Sequence, residues 1–205
     1  ILHLPFIISE LTEFEDTIKE SSALYPAHFW PHKNHFTLIK AFLKLQGERC
    51  GLKLVLTGHD RGFAQRVRDY VEVLGLSDAT VFTGFLTRHR LSSLIEESFA
   101  LVYPSYFGPD NLPPLEAMAL KVPALVADVP GAEEQYSDAV LKFNPACPDS
   151  LCNCILSLYS NKDLWHDLVN KGTRHIQSLT PYDYVSKVEN EVAEKANILV
   201  SIKKS

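Results

Sequence analysis

Methionine occurs once in these 205 residues, at Met118, and the chain opens on Ile1 rather than on an initiator. The expectation is a piece cut from a longer protein. Long apolar runs are missing too: none approaches the roughly 20 residues that a bilayer-spanning helix needs. The opening ILHLPFIISELTEFED has neither a basic region nor a small-residue cleavage site, so the expectation is a soluble, cytoplasmic chain. Positive charge is scarce, with 20 Lys and Arg against 25 Asp and Glu for a net −5. That balance argues against nucleic-acid binding by counterion release, which needs clustered cations. The four cysteines, Cys50, Cys147, Cys152 and Cys154, lack paired CxxC spacing and a nearby histidine set, which argues for reduced thiols and against zinc. Neither GxGxxG nor GxxxxGK followed by Ser or Thr occurs, so hydride transfer on a dinucleotide and P-loop phosphoryl transfer both lose support.

What is present is ordinary globular material, 46% hydrophobic and 22% charged, enough for one domain with a two-sided core. Residues 24–29 read as a strand. A helix follows over 33–45, with Phe36, Ile39, Ala41, Phe42 and Leu45 at helical spacing. Further strands are expected at 52–57, 80–83, 99–103, 124–127 and 140–143, with helices at 63–74, 91–98 and 113–120. Gly75 stops the second helix. The pair Pro113-Pro114 suits a first helical turn, where backbone N–H groups have no intrahelical partner. From about residue 148 only helices remain, at 150–160, 163–178 and 182–199, the middle one pinned by Leu164, Trp165 and Leu168. Strands alternating with helices imply right-handed crossovers and a parallel sheet covered on both faces. The expected fold is a Rossmann-like doubly wound α/β domain with extra C-terminal helices. Ligands bind such sheets at the carboxyl ends of the strands, which selects the loops 28–34, 58–62, 84–88, 105–111 and 128–133.

Two of these loops carry chemistry. Lys33 is expected at a helix start, where a cation opposes the dipole by roughly 0.3–1 kcal/mol unless an anion sits there as well. His28, His32 and His35 crowd the same loop, but no carboxylate or thiol stands among them, so a metal site is not expected. His28 at a strand end suits a phosphate, while His35 caps or packs. Glu116 falls in the first turn of the proline-started helix. One reading has it complement the helix dipole; the other has it contact a ligand whose diphosphate sits on the free N–H groups. The residues alone leave both open.

The segments AHFWPHKNHFTLIKAF, LKLVLTGHD, VFTGFLTRHRLSSLIEESFALVYPS, LPPLEAMALKVPALVADVPGAEE and VLKFNP resemble, in order and spacing, the C-terminal domain of the group 1 retaining glycosyltransferases. These enzymes use nucleotide sugars and have the two-Rossmann GT-B architecture. The resemblance covers about residues 24–144 specifically and the helical remainder loosely. It implies that residues 1–205 are a donor-binding domain, entered by a hinge strand at 2–6, with an acceptor-binding N-terminal domain elsewhere in a longer protein. It further implies that Lys33 clamps the donor diphosphate, with His28 where the family has arginine. Glu116 would hold the ribose hydroxyls. Gly108 stands where the family has a sugar-facing glutamate, and Asp110 is the nearby carboxylate that could replace it. Backbone amides of Asn111, Leu112 and Leu115 would face the diphosphate. Gly58 would let the backbone approach the donor, with plain turn geometry an equal alternative. Phe82, Thr83 and Phe85 would wall the nucleobase.

The implied activity is transfer of a hexose, mannose or glucose in many relatives, from a UDP or GDP sugar to a glycan or lipid-linked acceptor. No metal or other cofactor is implied. Peripheral membrane association of the longer protein is compatible, and the fragment alone would bind nucleotide and turn over poorly. Two alternatives stand beside it: a non-catalytic nucleotide or nucleotide-sugar binding module, signalled by Gly108, and another GT-B enzyme such as an epimerase or phosphorylase.

Overall fold

The computed structural model describes residues 22–48, 50–107 and 111–179; the expected hinge strand at 2–6, the loop positions Gly108 and Asp110, and the expected helix at 182–199 lie outside them. Among the described residues, six strands form one parallel sheet: β1 (Ser22–Pro26), β2 (Lys53–Thr57), β3 (Thr80–Gly84), β4 (Ala100–Tyr103), β5 (Ala124–Ala127) and β6 (Val140–Phe143). Their order across the sheet is β3-β2-β1-β4-β5-β6. The chain winds outward from β1 in one direction, then returns to β4 and winds outward in the other. The adjacent pair β1 and β4 is therefore the topological switch point, and the crevice beyond their carboxyl ends is where such sheets bind ligands. Each central strand is short and wholly apolar or nearly so, as in ALVY and ALVA, because a parallel strand is covered on both faces.

Among the described residues, seven α-helices cover the sheet: α1 (His35–Gly47), α2 (Ala64–Val73), α3 (Arg88–Glu96), α4 (Pro113–Ala119), α5 (Ala132–Tyr136), α6 (Pro148–Ser160) and α7 (Lys162–Ser178). Helix α1 packs against α2 and α6, and α4 packs against α3 and α7. Burial of Leu38, Ile39, Phe42 and Leu45 on α1 contributes about 1.5–3 kcal/mol each. Helix α7 begins where Asn161 accepts the Leu164 N–H at 3.0 Å, and α3 where Thr87 accepts from Arg90 at 3.4 Å. Trp165 is fixed through its indole N–H, which donates to the Phe99 carbonyl at 2.9 Å. All four cysteines are free thiols.

The expected strands and crossovers are present, with local differences. The first strand spans Ser22–Pro26, not 24–29, because its ladder with β2 ends at Pro26 and only an isolated bridge from Phe29 to Asp60 lies beyond, and α3 opens at Arg88, not at residue 91, because Thr87 caps it. Helix α1 starts at His35, not at residue 33, because Pro31–Lys33 forms a separate 3₁₀ turn and Asn34 adopts a left-handed conformation, φ 56°, between the two. Lys33 therefore ends a short turn instead of opening a helix, and the expected conflict with a helix dipole does not arise. The 128–133 loop contains the start of the short helix α5, which has too few apolar periods to show in sequence.

Two glycines permit close approach. Gly172 on α7 lies where a Cβ would meet Met118 Cγ at 2.9 Å, which lets α4 and α7 touch. Gly58 has φ 147°, and a Cβ there would stand 2.3 Å from the Ala27 carbonyl oxygen. Its own N–H donates to the Gly84 carbonyl at 2.9 Å. Of the two readings of Gly58, backbone packing between the ends of β1, β2 and β3 is the one this geometry supports. Gly58→Ala is expected to destabilise the chain by about 3 kcal/mol, measured by urea denaturation. Gly47→Ala, with nothing within 4 Å, should change stability by no more than about 1 kcal/mol; equal effects of the two substitutions would refute the packing role of Gly58.

Candidate functional site

The loop after β1 crosses the mouth of the switch point and is held there by buried side chains. Tyr25, on β1, donates its hydroxyl to the Lys33 carbonyl at 2.7 Å. The Asn34 amide, 6% exposed, donates to the carbonyls of Pro104 at 3.1 Å and Pro145 at 2.8 Å, joining the loops after β1, β4 and β6. The Tyr106 N–H donates to the His32 carbonyl at 3.1 Å. On the other side, Phe29 N–H donates to the His59 carbonyl at 3.0 Å. The loop after β2 is shaped by Asp60, whose Oδ1 accepts from the N–H groups of Gly62, Phe63 and Ala64 at 2.8–3.1 Å; these bonds hold its carboxyl below the usual range.

Between these loops lies a cleft of about 400 Å³, lined among others by His28, Trp30, Lys33, Gly58, Phe85 and Pro113. The Lys33 ammonium donates to the Tyr103 hydroxyl at 3.2 Å and stands 5.4 Å from that ring's centroid. Partial burial pushes its pKa down, the condition under which an incoming anion is most strongly attracted. His28 accepts the His59 backbone N–H on Nδ1 at 3.1 Å. The neutral ring must then carry its proton on Nε2. Burial, then the charges of Arg61, His59 and Lys33, lower its pKa further, so at pH 7 His28 is a neutral N–H donor.

The three histidines do not converge. His28 faces His59 at 5.3 Å between ring centroids, and His32 stacks on Phe107 at 4.6 Å. His35 is fully buried, stacked on Phe29 at 4.8 Å and set against Tyr25 at 5.0 Å. Neither nitrogen of His35 has a hydrogen-bond partner among the described residues, and burial drives its pKa down to about 3. It packs as a neutral ring, one of the two roles expected of it.

Phe85 lies in the cleft, stacked on His59 at 4.0 Å and 60% exposed. Phe82 does not line the cleft: its ring takes the Arg68 guanidinium 4.2 Å from its centroid and stacks on Phe29. Thr83 donates its hydroxyl to the Gly84 carbonyl at 3.1 Å. Asn111 has φ 41° and presents its carbonyl to the Tyr136 hydroxyl at 2.7 Å, while its side-chain oxygen is buried without a partner among the described residues. It borders a smaller hollow of about 180 Å³ with Ser105, Gly131 and Tyr136. Leu112 is half-exposed just before α4. Glu116 occupies the first turn of α4 as expected, with Leu115 before it and the cleft-lining Pro113 at the helix start. A larger cleft of about 820 Å³, between Phe99, Tyr159 and Trp165, lies at the opposite end of β4. It holds none of the expected site residues, and the amino ends of parallel strands are not where such folds bind substrate.

Tyr103, Asn34 and His59 belong to this site and have no individual signal in the sequence, although Asn34 and His59 lie in the selected loops 28–34 and 58–62. Tyr103 ends an apolar strand, and the other two act through contacts at separations of 31 to 111 residues, which local pattern does not report.

An open doubly wound domain with a cation-bearing cleft at its switch point suits a phosphorylated ligand. Comparison with known proteins narrows the class. The family profile described as "Glycosyl transferases group 1" matches residues 12–175, and the chain belongs to that family. It is 33% identical over 127 residues to the O-antigen chain mannosyltransferase RfbU of Salmonella typhimurium, covering 62% of this chain and 35% of that protein. The chain thus spans about a third of the length of that curated relative. Among solved structures, Anabaena Alr3699/HepE in complex with UDP and glucose superposes with a TM-score of 0.74 at 18% identity, over 95% of this chain and 53% of that one. The C-terminal domain of a group 1 family protein, LpcC, from Francisella tularensis gives 0.72 at 17% identity, over 82% and 89%. These likenesses place the fold among the GT-B glycosyltransferases.

The neutral burial of His35 makes stability acid-sensitive. Its folded pKa of about 3 lies below the ordinary 6.5, so between those values the unfolded chain binds a proton that the folded chain rejects. Stability is full above about pH 6.5 and falls as pH drops. Going from pH 7 to pH 5 should remove about 2 kcal/mol through this group, and His35→Phe should abolish that part of the slope. An unchanged slope in urea titrations of the variant would show that His35 is not its source.

Proposed function

We propose that this chain is the donor-binding half of a retaining hexosyltransferase that takes a nucleotide-diphosphate sugar, with mannose the favoured hexose. The single observation that carries the reading is the partly desolvated Lys33 ammonium held in a cleft at the switch point. Mannose is favoured by the similarity to an O-antigen mannosyltransferase, and a nucleotide diphosphate by the fold shared with a protein solved with UDP and glucose. In this reading residues 1–205 form one donor domain, and the acceptor is brought by another part of a longer protein.

The chemistry is positioning and charge stabilisation. As the bond between sugar and diphosphate breaks, negative charge grows on the leaving phosphate, and a preset donor is most effective where charge develops. Lys33 supplies the cation, and His28 adds a neutral Nε2–H donor where a positive charge would otherwise stand. The backbone near Asn111, Leu112 and Leu115 lies on the other side of the diphosphate. Pro113 and Pro114 have no N–H to give. Glu116 holds the ribose hydroxyls and so sets the register of the donor, while Phe85 with Thr83 flanks the base. Asp110, two residues along from Gly108, supplies the carboxylate toward the sugar in this reading. Gly108, in place of a glutamate, favours a second reading, a binding module without turnover.

A nucleotide present at 100 times its dissociation constant should stabilise the chain by about 2.7 kcal/mol. In a melting series with UDP, GDP, ADP and NAD, UDP or GDP should act; stabilisation by NAD alone would sink the proposal. Lys33→Ala is expected to weaken nucleotide-diphosphate binding about tenfold or more, the loss of a charge-assisted bond, and Glu116→Ala to weaken it through the ribose. Calorimetry showing unchanged affinity in both would remove the clamp. Labelled UDP- or GDP-hexose with full-length protein separates enzyme from module, since the module binds and does not turn over.

A further inference from the structure

Tyr103 lies between the two groups that the donor reading sets on either side of a diphosphate. The cleft of about 400 Å³ holds Lys33, the hollow of about 180 Å³ holds Asn111, and among the described residues Tyr103 alone lines both. It ends β4 and is 6% exposed. Its ring meets that of Tyr25 edge-on, with centroids 5.7 Å apart and planes at 82°, and Tyr25 is itself fully buried with its hydroxyl on the Lys33 carbonyl. One residue thus braces both the phenol and the lysine.

The Tyr103 hydroxyl is only half used. It accepts from the Lys33 ammonium at 3.2 Å, and an ammonium has no lone pair with which to take a proton in return. The phenol proton must point elsewhere, and no acceptor for it stands among the described residues. Tyr136, the other tyrosine of the hollow, differs in this respect, since its hydroxyl donates to the Asn111 carbonyl at 2.7 Å. A buried O–H without an acceptor is costly to the fold and a ready donor to a ligand.

We propose that the Tyr103 hydroxyl is a direct ligand of the donor diphosphate, giving its hydrogen bond to a phosphate oxygen beside the Lys33 ammonium. The choice of a diphosphate rests on the donor reading; the half-used hydroxyl rests on the geometry. Burial pushes the Tyr103 pKa up to about 12, so at neutral pH the phenol keeps its proton and no proton changes hands. As the bond between sugar and phosphate oxygen breaks, its electron pair stays on that oxygen, and the ammonium polarises the phenol toward the charge that grows there. The hydroxyl also supplies a donor on the side of Asn111, where Pro113 and Pro114 have no N–H to give. A metal cation is the weaker occupant, because the ammonium on the same hydroxyl would repel it.

Two measurements test the contact. 3-Fluorotyrosine placed at position 103 alone keeps the hydroxyl and gives a single fluorine resonance, which inorganic pyrophosphate should shift saturably. A line that stays put while calorimetry shows pyrophosphate bound overturns the proposal, and this arm needs no substitution that could unfold the chain. Tyr103→Phe keeps the ring against Tyr25 and removes only the oxygen. It should weaken UDP or GDP, whichever the unaltered chain takes, about tenfold, and pyrophosphate by the same factor, the loss of one hydrogen bond to a charged acceptor. Unchanged affinities refute the contact. So does a loss for the nucleotide alone, which assigns the hydroxyl to ribose or base, and so does an equal loss for the bare nucleoside, which marks a loosened cleft. The two readings fail differently: if pyrophosphate, UDP and GDP all leave the unaltered chain unbound, the donor site falls and the contact with it, whereas binding that Tyr103→Phe does not disturb removes the contact and leaves the donor site standing.

Discussion

The carboxyl end of the sheet depends on one buried amide, that of Asn34. A loop that crosses the open end of a parallel sheet has no ladder partner for its backbone, and burying it would leave polar groups unsatisfied. Asn34 resolves this by donating to two carbonyls from two other strand ends, while its left-handed backbone separates the 3₁₀ turn from α1. Tyr25 ties the carbonyl of Lys33 from below. With both anchors in place, the 28–34 segment has little freedom, and the side chains it displays toward the cleft are held at fixed positions. Removal of either anchor would leave a buried polar group unpaired, which costs about 1–3 kcal/mol.

This rigidity explains the electrostatics of the cleft. A lysine on a mobile loop would stay hydrated, whereas Lys33 is pulled back against Tyr103 and loses part of its water. A histidine in place of a second cation would be ambiguous at neutral pH, but the His59 amide settles the matter by occupying Nδ1. The result is one cation and one neutral donor, which favours an anion without the mutual repulsion of two buried positive charges. Below the cleft, His35 fills the space between Phe29 and Tyr25 as a neutral ring, so the core under the site contributes no charge of its own.

Much of the architecture was legible because its causes are local. Apolar runs such as 52–57 and 99–103, bounded by glycine or proline, form strands since both of their faces are covered. The Pro113-Pro114 pair starts α4 because its missing N–H groups are spent where none is needed, and this places Glu116 in the first turn as expected. Lys33 lies in the cleft at the switch point, but the helix-dipole argument that singled it out fails, since it closes a turn and does not open a helix. The family resemblance implies Phe82 at the nucleobase wall, but its ring is turned away from the cleft. Side chains alternate along a strand, and proximity in the chain cannot tell which face Arg68 and Phe29 will claim.

The order of apolar and polar residues therefore determined the strands, the helices and the family, since these follow from local propensity and from motifs contiguous in the chain. Which strands would be neighbours at the switch point, and hence which loops would share a cleft, was decided by tertiary structure. So were the tautomer of His28, the partner of Lys33 and the stacking of His32 on Phe107. Each depends on groups distant in sequence, and their interactions exist only once the sheet has brought β1 and β4 side by side.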